Sequence, residues 1–185
     1  MFTESKRNTR SLYLQTSCLF VFLVISNCLF SQRINKYFVS NVQDNGILYF
    51  IEPEHKWKST EDNTFEFDIT YLSSTDSISL NFSFLSKELE EINNLLFNIE
   101  GAEKPISVLC DKIYIDYNKR IWVHRYTSKI SHNEFLQLYA NNQGPAPKVV
   151  VKFKNDECVL FTNERKWRKK SKIINRIFQL TEANK

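Results

Sequence analysis

The chain has 185 residues, 42% of them hydrophobic and 25% charged, with a formal net charge of +4; this balance supports a folded core and excludes wholesale disorder. Glycine occurs only at positions 46, 101 and 144, so neither a G-x-G-x-x-G nor a Walker phosphate loop is present. HExxH, GxSxG and CxxC are missing as well, which removes the usual signatures of metalloproteases, α/β-hydrolases and dithiol redox sites and leaves no metal or cofactor to expect.

Lys6, Arg7 and Arg10 precede an apolar core, Cys18 to Ile25, followed by the more polar Ser26, Asn27 and Cys28. This is the layout of a secretory signal peptide. The uninterrupted apolar core is about 8 residues, whereas a spanning helix needs about 20. Cleavage is expected after Ser31. Residues 1–31 then form the signal, and residues 32–185 form a single α+β domain delivered to the periplasm, the envelope or the medium. Retention as an anchor is the alternative, because Leu29 stands where a small residue is preferred. The exported chain keeps Cys110 and Cys158, each in an apolar run. A Cys110–Cys158 disulfide and a pair of buried thiols are the two readings.

Ile47 to Glu52 reads as the first strand of that domain. Strict alternation then sets Phe65, Phe67, Ile69 and Tyr71 before Asp76, and Ile78, Leu80, Phe82 and Phe84 after it, with polar residues in between. The pattern predicts a hairpin with one packed face and one wet face. Ser86 next caps a predicted helix whose Leu89, Ile92, Leu96 and Ile99 step by 3, 4 and 3, with Gly101 to end it. Residues 106–127 read as a second hairpin around Asn118. Ile130, Ser131, Glu134 and Phe135 follow as staple, N-cap, capping-box acid and staple partner of a helix running to about Tyr139. A third hairpin, Val149 to Phe153 and Cys158 to Thr162, turns at Asn155 and Asp156. It leads into a C-terminal helix capped by Thr162 or Asn163. Hairpin-then-helix thus occurs three times. The expected fold is α+β, an antiparallel sheet of about seven strands with the helices packed on one face.

The second hairpin carries the richest chemistry. A three-residue turn, Asn118 to Arg120, sorts Ile113, Ile115, Tyr117, Ile121 and Val123 onto one face. The other face then holds Tyr114, Asp116, Trp122, His124 and Tyr126. Aromatic rings beside a carboxylate and an imidazole suit a protein partner, or a carbohydrate whose flat ring stacks on them. The competing reading is that these rings are ordinary packing. The expected function is a non-enzymatic, exported binding module. A small envelope hydrolase working through Asp116 and His124 is the alternative, and it requires the two to converge in a pocket. His55, in the charged stretch EPEHKWK, and His132, in a helix first turn, read as exposed.

Charge is unevenly divided. Residues 164–185 hold eight Lys and Arg against Glu164 and Glu182, while residues 32–163 hold 14 basic and 18 acidic residues. In the C-terminal helix Trp167, Ser171, Ile174, Ile177 and Phe178 share one side. Arg165, Lys166, Arg168, Lys169, Lys170 and Lys172 make the rest strongly basic. Docking of the apolar side on the domain is one expectation, and binding to anionic lipid or lipopolysaccharide phosphates is the other. Nucleic acid is not an expected partner, since one basic helix without a recognition fold makes no nucleic-acid site.

Overall fold

The computed structural model describes residues 36–140 and 144–183; the expected signal, 1–31, lies outside them. In chain order the first strands are β1 (Phe38–Gln43), β2 (Gly46–Ile51), β3 (Lys56–Lys58), β4 (Thr64–Leu72) and β5 (Ser77–Ser86). They are followed by β6 (Asn94–Asn98), β7 (Ile106–Leu109), β8 (Asp111–Asn118) and β9 (Ile121–Ser131). The helix α1 (His132–Ala140), the strands β10 (Lys148–Lys152) and β11 (Glu157–Leu160), and the helix α2 (Glu164–Ala183) complete the described residues.

The alternation around Asp76 folds as its period demands. Phe65, Phe67, Ile69 and Tyr71 on β4, and Ile78, Leu80, Phe82 and Phe84 on β5, are buried on one side of a hairpin that pairs Tyr71 with Ile78 and Thr64 with Leu85. The other side is a polar network. The Asn81 amide donates to Asp68 at 2.9 Å and to Thr70 at 3.1 Å, Thr127 donates to Asn81 at 3.0 Å, and Arg125 pairs with Asp68. One face therefore packs while the other satisfies its own hydrogen bonds at the water boundary.

This hairpin lies inside a seven-stranded antiparallel sheet of order β1-β2-β4-β5-β9-β8, with β3 alongside β4. Its apolar face is covered by a second, four-stranded sheet of order β11-β10-β6-β7 together with the two helices. Phe97 of β6 meets Phe67 at 6.3 Å between ring centroids, and Phe153, just past β10, meets Phe84 at 5.8 Å. On the helical side Phe178 meets Tyr71 at 5.6 Å and Trp167 meets Trp57 at 6.0 Å. The α+β class holds, and the helices share the covered face with a sheet.

Two expectations are corrected. The segment after Ser86 is not a helix. Strand β5 runs through to Ser86, and Asn94–Asn98 becomes β6 with Leu95 and Phe97 buried and Leu89 exposed. Helical spacing of Ile92, Leu96 and Ile99 loses to the alternation of Leu95 and Phe97, because β6 is laddered on both sides, to β10 and to β7. Two hairpin-then-helix units therefore remain of the three. The stretch 106–118 is likewise not one strand. At Cys110, whose N–H donates to the Asn93 carbonyl at 3.1 Å, the chain leaves the four-stranded sheet as β7 and enters the seven-stranded sheet as β8.

Both helix starts follow their sequence signals. The Ser131 N–H and hydroxyl both donate to the Glu134 carboxylate, at 3.2 and 2.6 Å, and Ser131 accepts the Glu134 N–H at 3.2 Å. That is a closed capping box, with Ile130 and Phe135 buried beside it. Asn163 caps α2 by accepting the Lys166 N–H at 3.0 Å. Trp167, Ser171, Ile174, Ile177, Phe178 and Thr181 form the buried side of α2, and each of its large apolar side chains contributes about 2 kcal/mol by leaving water.

Candidate functional site

The β8–β9 hairpin closes through Lys119 and Arg120, with Asn118 paired to Ile121, so the turn has two central residues and not three. Both are left-handed, with φ of 51° and 66°, the sign pattern of a type I′ turn. This one-residue change re-sorts the faces. Tyr117 stands opposite Trp122 and Ile115 opposite His124, while Tyr114 stands opposite Arg125 and Asp116 opposite Val123. Trp122, His124 and Tyr126 therefore share one face, and Tyr114 and Asp116 lie on the other. The five residues expected on a single face are split between two.

The inward-facing members are packing residues. His124 and Tyr126 are buried, and the Tyr126 hydroxyl accepts the Ile92 N–H at 3.2 Å. Phe82 stacks on Tyr126 with centroids 5.7 Å apart, and His124 lies against Phe84 at 5.8 Å. Asp116 is exposed and accepts the N–H of Tyr117 at 2.8 Å. Asp116 and His124 are thus on opposite sides of the sheet and do not converge.

A serine, Ser86, does reach His124, and hydrogen-bond chemistry decides what the pair can do. The one hydroxyl proton of Ser86 goes to the Glu88 carbonyl, 2.5 Å away. The His124 Nε2 at 3.1 Å from the same oxygen must then be the donor. In that tautomer Nδ1 carries the lone pair, and it is buried without a partner. The imidazole offers the serine a proton instead of a base, and burial lowers its pKa against the opposing effect of the Glu88 backbone carbonyl.

Beside the exposed Asp111, Lys112, Asp116 and turn residues, the hairpin also exposes large apolar side chains. Strand β8 is an edge of the seven-stranded sheet, and Ile113, Tyr114 and Tyr117 on it are 52%, 51% and 54% exposed. Tyr117 and half-buried Trp122 meet with centroids 4.7 Å apart and planes tilted by 45°. Ile113 and Tyr117 belong to the face assigned to the core by the three-residue turn, which is why they escape the sequence reading.

The cationic side chains of α2 face away from the core. Arg165, Lys166, Arg168, Lys169 and Lys172 are exposed, while Lys170 is tied to Glu54 at 3.2 Å and Arg168 to Glu164 at 3.3 Å. The apolar side of this helix is already occupied by the domain, and no described helix is long and apolar enough to cross a membrane. His55, read as exposed, is instead buried, enclosed by Trp57, Tyr139 and Trp167. The alternation His55, Lys56, Trp57, Lys58 is the signal for it: imidazole and indole turn inward, both lysines outward.

Cys110 and Cys158 are free thiols, which corrects the disulfide reading. Cys158 is on β11 and Cys110 directly follows β7, and these strands are the two opposite edges of the four-stranded sheet. Three ladder spacings amount to roughly 14 Å, whereas a bridge needs Cα atoms about 6 Å apart. Ser128 donates to the Cys110 sulfur at 3.6 Å and Asn63 to that of Cys158 at 3.5 Å. Burial raises both pKa values, that of Cys110 to about 11, so neither is an activated nucleophile. No three or more His, Cys, Asp or Glu side chains among the described residues are grouped to hold a metal ion. The chain matches no protein-family model, no curated protein and no solved structure.

Proposed function

We propose that the chain is an exported, non-enzymatic binding module that captures an extended protein segment along β8 and the Tyr117–Trp122 end of its hairpin. One observation carries this reading: an edge strand with three large apolar side chains more than half exposed. Protein edges are ordinarily blunted by charge, proline or a bulge. In β8 the bulge between Lys112 and Tyr114 and the charges of Asp111 and Lys112 lie at its start; from Tyr114 to Asn118 the ladder continues without interruption and Asp116 is the one charged residue. A segment added there gains backbone partners from the outer side of β8, and its alternating side chains meet apolar residues on both faces.

The turn supports the same reading. Lys119 and Arg120 each hold a left-handed backbone that costs a residue with a Cβ about 1–2 kcal/mol, and strain of this kind clusters where a tip has a task. A carbohydrate is less well served, because rings tilted by 45° present no flat platform. Export rests on the basic and then apolar stretch within residues 1–31.

Selection of a random-peptide library on the purified protein, followed by amide hydrogen exchange of the complex, tests the proposal. Selected peptides should be apolar and extended and should protect the amides of 111–118. Tyr117→Ala combined with Trp122→Ala should weaken them at least about tenfold without lowering the melting temperature appreciably. Failure to select any peptide, protection confined to another region, or equal binding by the double variant overturns the assignment.

A further inference from the structure

On β3 the indole of Trp57 points inward, so Lys56 and Lys58 on either side of it project outward. A backbone bridge fixes the approach to α2 beside this strand. Lys58 N–H donates to the Phe161 carbonyl at 2.7 Å, Phe161 N–H returns to the Lys58 carbonyl at 2.9 Å, and the Thr162 hydroxyl donates to the Lys56 carbonyl at 2.6 Å. Between them opens a cleft of about 660 Å³ whose charged lining is Lys56, Lys58, Lys166 and Lys170 against one carboxylate, Glu54.

Acidic partners satisfy half of those lysines. Glu54 holds Lys170 at 3.2 Å and Glu66 holds Lys56 at 2.9 Å. Lys58 and Lys166 have no acidic partner among the described residues. Phe161, 48% exposed, gives the cleft an apolar wall. Buried His55 also lines it, and its Nε2 has no hydrogen-bond partner. The lining cations are all lysines, point charges without a planar fork, so the number of free positive charges sets the preferred anion. Two uncompensated ammonium groups match the charge of a dianion, and lysine meets phosphate as a point charge.

We propose that this cleft binds a phosphate monoester carried on an apolar or aromatic body, with Lys58 and Lys166 taking the phosphate and Phe161 packing on the body. The site involves no residue of β8 or β9, so it stands or falls separately from the proposed peptide edge.

Titration of the full protein with phenyl phosphate, inorganic phosphate and benzoate, followed by calorimetry and by chemical-shift mapping, tests it. Phenyl phosphate should bind with a Kd at or below about 1 mM, and the other two anions about tenfold more weakly. The shifts should centre on residues 54–58 and 161–170. Lys58→Gln with Lys166→Gln should weaken phenyl phosphate at least about tenfold at an unchanged melting temperature. Phe161→Ala should bring phenyl phosphate to the level of inorganic phosphate. Vesicles of phosphatidylcholine with phosphatidic acid identify the source. Sedimentation with the wild type but not with the lysine variant makes the monoester a lipid headgroup; no sedimentation makes it a free metabolite. Phenyl phosphate binding that is undetectable, matched by benzoate or unchanged in the lysine variant overturns the site, as does vesicle binding that survives in that variant.

Discussion

The imidazole of His55 lies 4.5 Å from the indole of Trp167, centroid to centroid, and Trp57 and Tyr139 close the box around it. Burial, and after it the charge of Lys170, holds the His55 pKa at about 3 against 6.5 for a free imidazole. As pH falls, the unfolded chain takes up a proton that the folded chain refuses. The stability tied to His55 is therefore fully present above pH 6.5 and drains away as pH falls toward 3. Near pH 4 the loss is on the order of 3 kcal/mol, and His124, lowered chiefly by its own burial, acts in the same direction. Urea unfolding across this range measures the slope. His55→Gln should flatten it by close to one proton, and an unchanged slope would contradict a buried neutral imidazole.

Ile174 sits on the inner side of α2 between Trp167 and Phe178, all three buried. An aspartate there removes apolar packing and places a carboxylate where water does not reach. Ile174→Asp should cost about 4 kcal/mol or more, whereas Lys169→Ala on the outer side should change stability by less than about 0.5 kcal/mol. Thermal unfolding of the two variants separates a helix that closes the core from one that only rests on it; comparable effects would refute the first.

The β4–β5 hairpin is readable from residues alone because alternation and a polar opposite face agree, and the Ser131–Glu134 box because its chemistry is local. The segment of Ile92 and Leu95 to Ile99 satisfies both periods at once, and only the ladders to β7 and β10, far away in sequence, decide for strand. The candidate site fails on a single turn residue. With Asn118 inside the turn, five side chains share a face; with Asn118 paired to Ile121, they divide. Lys-Arg gives no hint of the positive φ it adopts, since Gly and Asn are the residues that normally announce such a turn.

That turn can be relieved. Lys119→Asn with Arg120→Gly supplies the pair a type I′ turn prefers, at positions whose φ is already 51° and 66°. The variant should gain about 1 kcal/mol in urea unfolding while keeping Tyr117 opposite Trp122. A loss of stability would mean that the lysine and arginine side chains do more for the hairpin than their backbone costs.

Tyr126 and Trp122 lie on one face of β9, on either side of His124, with opposite expectations. Tyr126 is buried under Phe82 and accepts the Ile92 N–H, so Tyr126→Ala should cost about 3–5 kcal/mol. Trp122 is half-buried at the sheet end, and its replacement should cost clearly less. Matched unfolding curves test the order, and a variant at Tyr126 as stable as one at Trp122 would return that ring to the surface.

Burial raises the pKa of the Cys110 thiol from its ordinary range to about 11. At pH 8 the folded protein then holds roughly a hundredfold fewer Cys110 thiolates than the unfolded chain. Cys158 is shifted the same way, again by burial first. The folded state favours the neutral thiol, so its contribution to stability is intact below the unfolded pKa and fades as pH climbs toward 11. Reaction with a thiol-specific disulfide reagent at pH 8 should be slow in buffer, become fast in urea, and release one equivalent each from Cys110 and Cys158. Dithiothreitol should leave the melting temperature where it was, because no bridge spans the four-stranded sheet. Fast labelling of Cys110 in the folded protein, or a melting temperature that drops on reduction, would overturn this account.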